Sequence, residues 1–152
     1  MRKRVVNSEI SAEPAALDLE QIATAEITSE DPAYPIEHAL HGDRGGWRAS
    51  TPGQQLIRLI FDEPARLGSI EIRFDEPGTA RTQEFVLRWS PDGGRSFREI
   101  VRQQYTFSPP GTICEIERYS VDLDGVTVLE IRLNPDIAGG PALASLSRLR
   151  VT

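Results

Sequence analysis

The chain has 152 residues, 39% of them hydrophobic and 26% charged, a globular balance that excludes a disordered or fibrous composition and leaves room for one ordinary domain. Seventeen Lys and Arg against 23 Asp and Glu give a net charge of -6, which excludes a general cationic field for nucleic acid. No run approaches the roughly 20 apolar residues of a membrane-spanning helix. The basic opening Met1, Arg2, Lys3, Arg4 is followed by no apolar stretch of the signal-peptide kind, and the single Cys114 forbids an intrachain disulfide. The expectation is a soluble cytoplasmic chain with no nucleic-acid and no membrane partner.

In chain order, residues 1–16 read as an N-terminal extension and 17–152 as one domain. Ala12 to Thr24 carries a weak helical pattern opposed by Pro14, and Ile22 to Ile27 reads as a short strand. Three half-buried strands follow at period 2: Ile57, Leu59, Phe61; then Ile70, Ile72, Phe74; then Phe85, Leu87, Trp89. Two more are predicted by Tyr119, Val121, Leu123 and by Leu129, Ile131, Leu133. Shorter candidates are Arg98 to Arg102, Cys114 to Glu117, and the group Leu146, Leu149, Val151. Turn chemistry separates them at Asp62-Glu63-Pro64, Asp75 to Gly78, Pro91 to Gly94, Pro109 to Gly111, Asp124-Gly125 and Gly139 to Pro141. Many short strands with Gly and Pro at the joints predict an all-β fold, a two-sheet antiparallel jelly-roll sandwich of about eight strands.

Few residues suggest chemistry. Ser90 to Phe97 fits the Asp-box pattern S-x-D-x-G-x-[ST]-[WF], in which the Asp accepts backbone N–H bonds across a hairpin; a single copy reads as a folding device. His38, His41 and Asp43 form an H-x-x-H-x-D group short of a full ligand set, so no metal and no cofactor are assigned. Cys114 shares strand parity with Ile116 and is expected on the apolar face as a small hydrophobe. There is no nucleophile elbow and no phosphate-cradling Gly loop, so no enzyme activity is expected. Aromatic rings with nearby guanidinium groups suit a sugar, whose apolar face stacks while polar groups fix its hydroxyls. Tyr34, Trp47, Tyr105 and Phe107 are the loop aromatics. Trp47, Arg48, Arg81 and Tyr105 are the ligand-binding candidates, and for Trp47 a core anchor at the start of the sandwich is the favoured alternative.

Taken together, Ala39-Leu40-His41-Gly42-Asp43, Trp47-Arg48, Gln55 to Phe61, Phe85 to Phe97 and Leu129 to Leu133 resemble the discoidin, or galactose-binding-like (coagulation factor type C), superfamily. The resemblance covers about residues 17–152, and the Ser90 to Phe97 hairpin is its most specific part. It implies an eight-stranded jelly roll and a non-catalytic binding module, with carbohydrate as the first ligand class to expect, that uses loops at one end of the sandwich. Two departures stand out: His41 replaces the first Asp and Arg148 the closing Glu of the superfamily's frequent calcium site, leaving only Asp43. Where galactose-binding members carry a sugar-contacting His after the Trp and an assisting loop Arg, this chain has Arg48 and Arg81. Other members of the superfamily are intracellular protein-interaction or scaffold domains. For that alternative, Val86, Ile60 and Phe107 are the apolar residues expected to be exposed.

Overall fold

The computed structural model describes residues 1–4 and 15–152. Residues 12–14 of the weak helical pattern lie outside the described residues; its described part is helical only over the single turn α1 (Leu19–Ile22). At Ala23 the backbone becomes extended as β1 (Ala23–Ile27), because its alternating residues pair antiparallel with Phe61 to Ile57 of the next long strand. Tertiary pairing thereby overrides a helical propensity worth only tenths of a kcal/mol per residue, roughly 0.7 at most for ordinary residues. A second short helix, α2 (Ile36–His41), ends on Gly42 in the left-handed region. The remaining elements are β2 (Trp47–Arg48), β3 (Gln55–Asp75), β4 (Arg81–Ser90), β5 (Arg98–Phe107), β6 (Cys114–Asn134), β7 (Ser145–Leu146) and β8 (Arg148–Val151). All pairings are antiparallel.

The two expected turns at Asp62-Glu63-Pro64 and Asp124-Gly125 are not chain reversals. Both lie inside 21-residue strands, β3 and β6, which pair with each other along nearly their whole length. The turn residues act as bulges instead: three register shifts fall between Ile60 and Ser69, and Gly125 has φ 67 beside the pair Ala65 and Val126. The bent ribbon serves both layers. Its first half of β3 and second half of β6 join β1, β4 and β5 in the larger sheet, while Ser69–Asp75 and the start of β6 join β8. Phe74 and Phe85 meet across the layers with ring centroids 5.2 Å apart, closing a core that also holds Ile57, Leu59, Ile72, Leu87, Leu129 and Ile131. This is the expected two-sheet sandwich of eight strands.

Period 2 holds through β6 more strictly than the apolar residues do. The inward set is Glu115, Glu117, Tyr119, Val121 and Leu123, so Glu115 is buried and Ile116 is 56% exposed. The expected apolar pairing of Cys114 with Ile116 is therefore corrected: both point outward, away from the core. The proposed exposed patch is corrected too. Phe107 is fully buried beneath the Arg81 guanidinium, Val86 is buried between Arg102 and Arg132 in register, and Ile60 is half-buried.

On the outer face of the larger sheet, Glu130 is completely buried. Arg58, Arg88 and Arg132 each donate through Nε to its carboxylate, at 2.7, 2.8 and 2.6 Å, and the Phe97 ring lies against the first two guanidiniums. The Ser90 to Phe97 hairpin is fixed as the sequence predicts. Asp92 Oδ1 accepts from the Ser96 N–H and the Ser90 hydroxyl, and the Ser90 Oγ accepts the Gly94 N–H, where Gly93 and Gly94 both have positive φ.

Candidate functional site

A cleft of about 780 Å³ opens at one end of the smaller sheet, where three loops meet the ends of β3 and β8. Its size falls within the roughly 300–1,000 Å³ of small-ligand sites. One wall is the loop Gly42 to Gly46, where Gly42, Arg44, Gly45 and Gly46 have φ of 72, 50, 81 and 73°. Glycine is required at 46: a Cβ there would stand 2.2 Å from the Leu146 carbonyl oxygen. A Cβ at Gly45 would stand 3.0 Å from the Tyr34 ring. Arg44 is the one non-glycine residue with positive φ among the described residues, so this loop holds its side chain in an uncommon backbone state.

The opposite wall is Glu76 to Thr79, and the third loop brings Pro141, Ala142 and Leu143. Beneath the 76–79 wall, the buried Arg81 donates to Glu76 at 2.8 Å and to the Pro135 carbonyl at 2.6 Å. It braces two of the three loops. Burial pushes the Glu76 carboxyl up, but hydrogen bonds from Arg81 and the Gly78 N–H outweigh it and hold the group below its ordinary range. On the floor, Arg73 grips Asp75 through two nitrogens at 3.0 and 3.2 Å. Burial raises the Asp75 carboxyl; Arg73, Ser147 and Cys114 donate to it and bring it below the usual carboxylate range. Burial and the neighbouring Asp75 push the Cys114 thiol up, away from the thiolate that nucleophilic chemistry needs.

Four arginines and four carboxylates line the cleft of a chain whose net charge is -6. The two sets are not equally engaged. Asp75 and Glu76 are ion-paired and Asp136 accepts the Ala138 N–H, and Asp43 alone of the four makes no ion pair or side-chain hydrogen bond among the described residues, whereas three of the four arginines, Arg44, Arg48 and Arg148, have no carboxylate within 4 Å there. The Arg48 guanidinium lies 4.0 Å from the centroid of the Tyr34 ring, which fixes the plane of its fork.

Of the four sequence-predicted ligand residues, only Arg48 lines this cleft. Trp47 is fully buried, its Nε1 donating to the Ser29 carbonyl at 3.2 Å, so its alternative reading as a core anchor holds and no face is left for stacking. Arg81 supports the wall from below. Tyr105 is half-buried against Phe107 and donates to the Cys114 carbonyl at 2.9 Å, outside the cleft. Sequence reasoning missed Arg44, Arg73, Ser147 and Thr79. The signals were there in Gly42 to Gly46 and in Arg73-x-Asp75, but the first reads alone as a flexible turn and the second as an ion pair facing water.

The calcium site implied by the resemblance does not fit these residues. Arg148 places its side-chain carbons and Nε against Gly42, next to Asp43, and His41 is paired with Glu20. A guanidinium thus stands where an anionic ligand would be needed. Among the described residues, no group of three metal-ligating side chains is present.

The architecture defines a class: the chain has the galactose-binding-like, discoidin-type β-sandwich fold. Within it, solved structures of family 32 carbohydrate-binding modules superpose well. One is the module of C. perfringens NanJ in complex with galactose, at TM-score 0.63 and 18% identity, covering 90% of this chain and 96% of that one. Another is the module of AlyQ in complex with 4,5-unsaturated mannuronic acid, at TM-score 0.64 and 16% identity, covering 91% and 98%. A pectin-binding module matches at TM-score 0.63 and 14% identity, covering 87% and 91%. No protein-family model and no curated protein matches the sequence.

Proposed function

We propose that this chain is a non-catalytic carbohydrate-binding module whose ligand occupies the end cleft between Gly42–Gly46, Glu76–Thr79 and Pro141–Leu143. The observation that carries the reading is the preorganised Arg48 fork, stacked on Tyr34 and open to the cleft, with Ser145, Ser147 and Thr79 as neighbouring hydroxyls. Planar donors held rigidly before the ligand arrives lose little entropy on binding hydroxyl or carboxylate oxygens. The likeness in fold to modules solved with galactose and with a mannuronic acid derivative supports a sugar as the ligand. The carboxylates already tied to Arg73 and Arg81 are held ionised as structural partners, which supports binding over acid-base chemistry.

Affinity electrophoresis of the purified chain through gels containing neutral and acidic polysaccharides tests this. Retardation by at least one polysaccharide, lost in Arg48→Ala with an unchanged melting temperature, is the expected result. Free migration through every gel would overturn the reading.

A further inference from the structure

We propose that the end cleft selects anionic saccharides, with Arg44, Arg48 and Arg148 gripping a carboxylate or sulfate that no described residue places against them. This rests on the carbohydrate reading above and goes beyond it by naming the ligand class.

The first observation is a like-charge pair. Arg148 of β8 stands directly across from Arg73 of β3, both on the outward face of the smaller sheet. Like charges directly opposite one another in a sheet destabilise it. Arg73 is relieved by its two-nitrogen contact with Asp75. Arg148 has no carboxylate within 4 Å among the described residues, although the fold elsewhere supplies counterions freely: Glu71 receives Arg118 at 2.9 Å, and Glu130 receives three arginines. A guanidinium kept unpaired beside another is an arrangement that an incoming anion would satisfy.

The second observation is that two more guanidiniums with no carboxylate within 4 Å among the described residues line the same cleft, Arg44 from the Gly42–Gly46 loop and Arg48 from β2. Arg48 is oriented by Tyr34, and Arg44 is held by a backbone state that non-glycine residues seldom adopt. The third is what the lining lacks. Among the described residues no Trp, Tyr or Phe lines the cleft, and its apolar surface is Pro77, Pro141, Ala142 and Leu143, the last 46% exposed. A neutral sugar recognised mainly by ring stacking has no platform here, whereas an acidic sugar gains charge-assisted, bidentate hydrogen bonds.

Titration calorimetry on the whole chain with three oligosaccharides of equal length separates the outcomes: an oligogalacturonide, a sulfated galactan and a neutral galactan. At least one of the two anionic ligands should bind about tenfold or more tightly than the neutral one. Arg148→Gln should remove that preference while leaving the melting temperature equal or higher, since it also removes the like-charge pair. Arg44→Gln, which does not touch the sheet, is the second variant and should weaken anionic binding in the same direction. The stronger of the two anionic arms tells carboxylate from sulfate. Equal or tighter binding of the neutral galactan overturns this inference and leaves the carbohydrate reading in place. Binding of none of the three here, with free migration in every polysaccharide gel, overturns both.

Discussion

Replacing Glu130 with Gln tests whether the outer-face arginine cluster is held together by its buried carboxylate. The substitution preserves shape but removes the charge facing Arg58, Arg88 and Arg132, whose side chains are 35, 24 and 50% exposed while Glu130 is not exposed at all. A hydrogen bond to a charged group contributes about 1.5–3 kcal/mol. Three would sum higher, but partial exposure of the arginines screens them, leaving about 3 kcal/mol for the cluster. The titration of the carboxyl expresses the same three hydrogen bonds. Burial pushes the Glu130 carboxyl up, yet the hydrogen bonds from Arg88, Arg132 and Arg58 bring it down to about 2 from an ordinary 4.5, which corresponds to about 3 kcal/mol of stability. The folded-state value is depressed, so this stability is fully present above pH 4.5 and is lost as pH falls toward 2. In urea unfolding at pH 7, Glu130→Gln should therefore cost about 3 kcal/mol, lowering Tm by about 6–12 °C for a domain of this size. The gap between wild type and variant should close as pH is lowered through 4.5. A cost within about 0.5 kcal/mol at pH 7, or a gap that does not narrow in acid, would refute the reasoning.

Glu115 has the opposite sign. Burial, reinforced by Glu117, pushes its carboxyl up to about 7 against the hydrogen bond from Gln83, and its second oxygen has no partner. The unfolded chain ionises first, so stability should fall between pH 4.5 and 7 and level off above. Glu115→Gln should abolish that fall, with a gain on the order of 2 kcal/mol over wild type at pH 8 and little difference at pH 4. Urea titrations at the two pH values check it. For Trp47, deletion to Ala should cost about 3–5 kcal/mol as a core cavity, seen as a lowered Tm. The milder Trp47→Phe should leave saccharide affinity unchanged in calorimetry; weakened binding by a folded Trp47→Phe would return the ring to the site.

The sandwich was legible because alternation survives in its central strands: Ile57 to Phe61, Ile70 to Phe74 and Phe85 to Trp89 all face the core as their period demands. Strand continuity was not legible. Asp62-Glu63-Pro64 and Asp124-Gly125 have turn chemistry, and only the pairing of Ala65 with Val126 reveals that the two sites bend one ribbon together. Parity was partly legible at the start of β6. Counting back by twos from Tyr119 reaches Glu117 and Glu115, so period alone marks a buried carboxylate there, while the apolar character of Ile116 points the wrong way.

Of the residues lining the cleft, Arg48 was named from the sequence as a guanidinium beside loop aromatics and again from the family resemblance, and the others were not, for a physical reason. An exposed arginine carries no signal in sequence of whether a carboxylate waits beside it. The fold holds both cases side by side. Arg58, Arg88 and Arg132 come from three adjacent strands and converge on Glu130, which the chain supplies from one of those same strands, and the cluster closes around it. Arg44, Arg48 and Arg148 come from a loop and two short strands that line one cleft, but among the described residues none of their forks has a carboxylate within 4 Å. Glu130 is thus the internal comparison for the proposed ligand: three guanidiniums in each group, and in one of them a carboxylate that all three meet. In one cluster that anion is fixed by the covalent chain and contributes to stability. In the other it must arrive from solution, and whatever the first cluster gains in folding energy, the second has left to express as affinity.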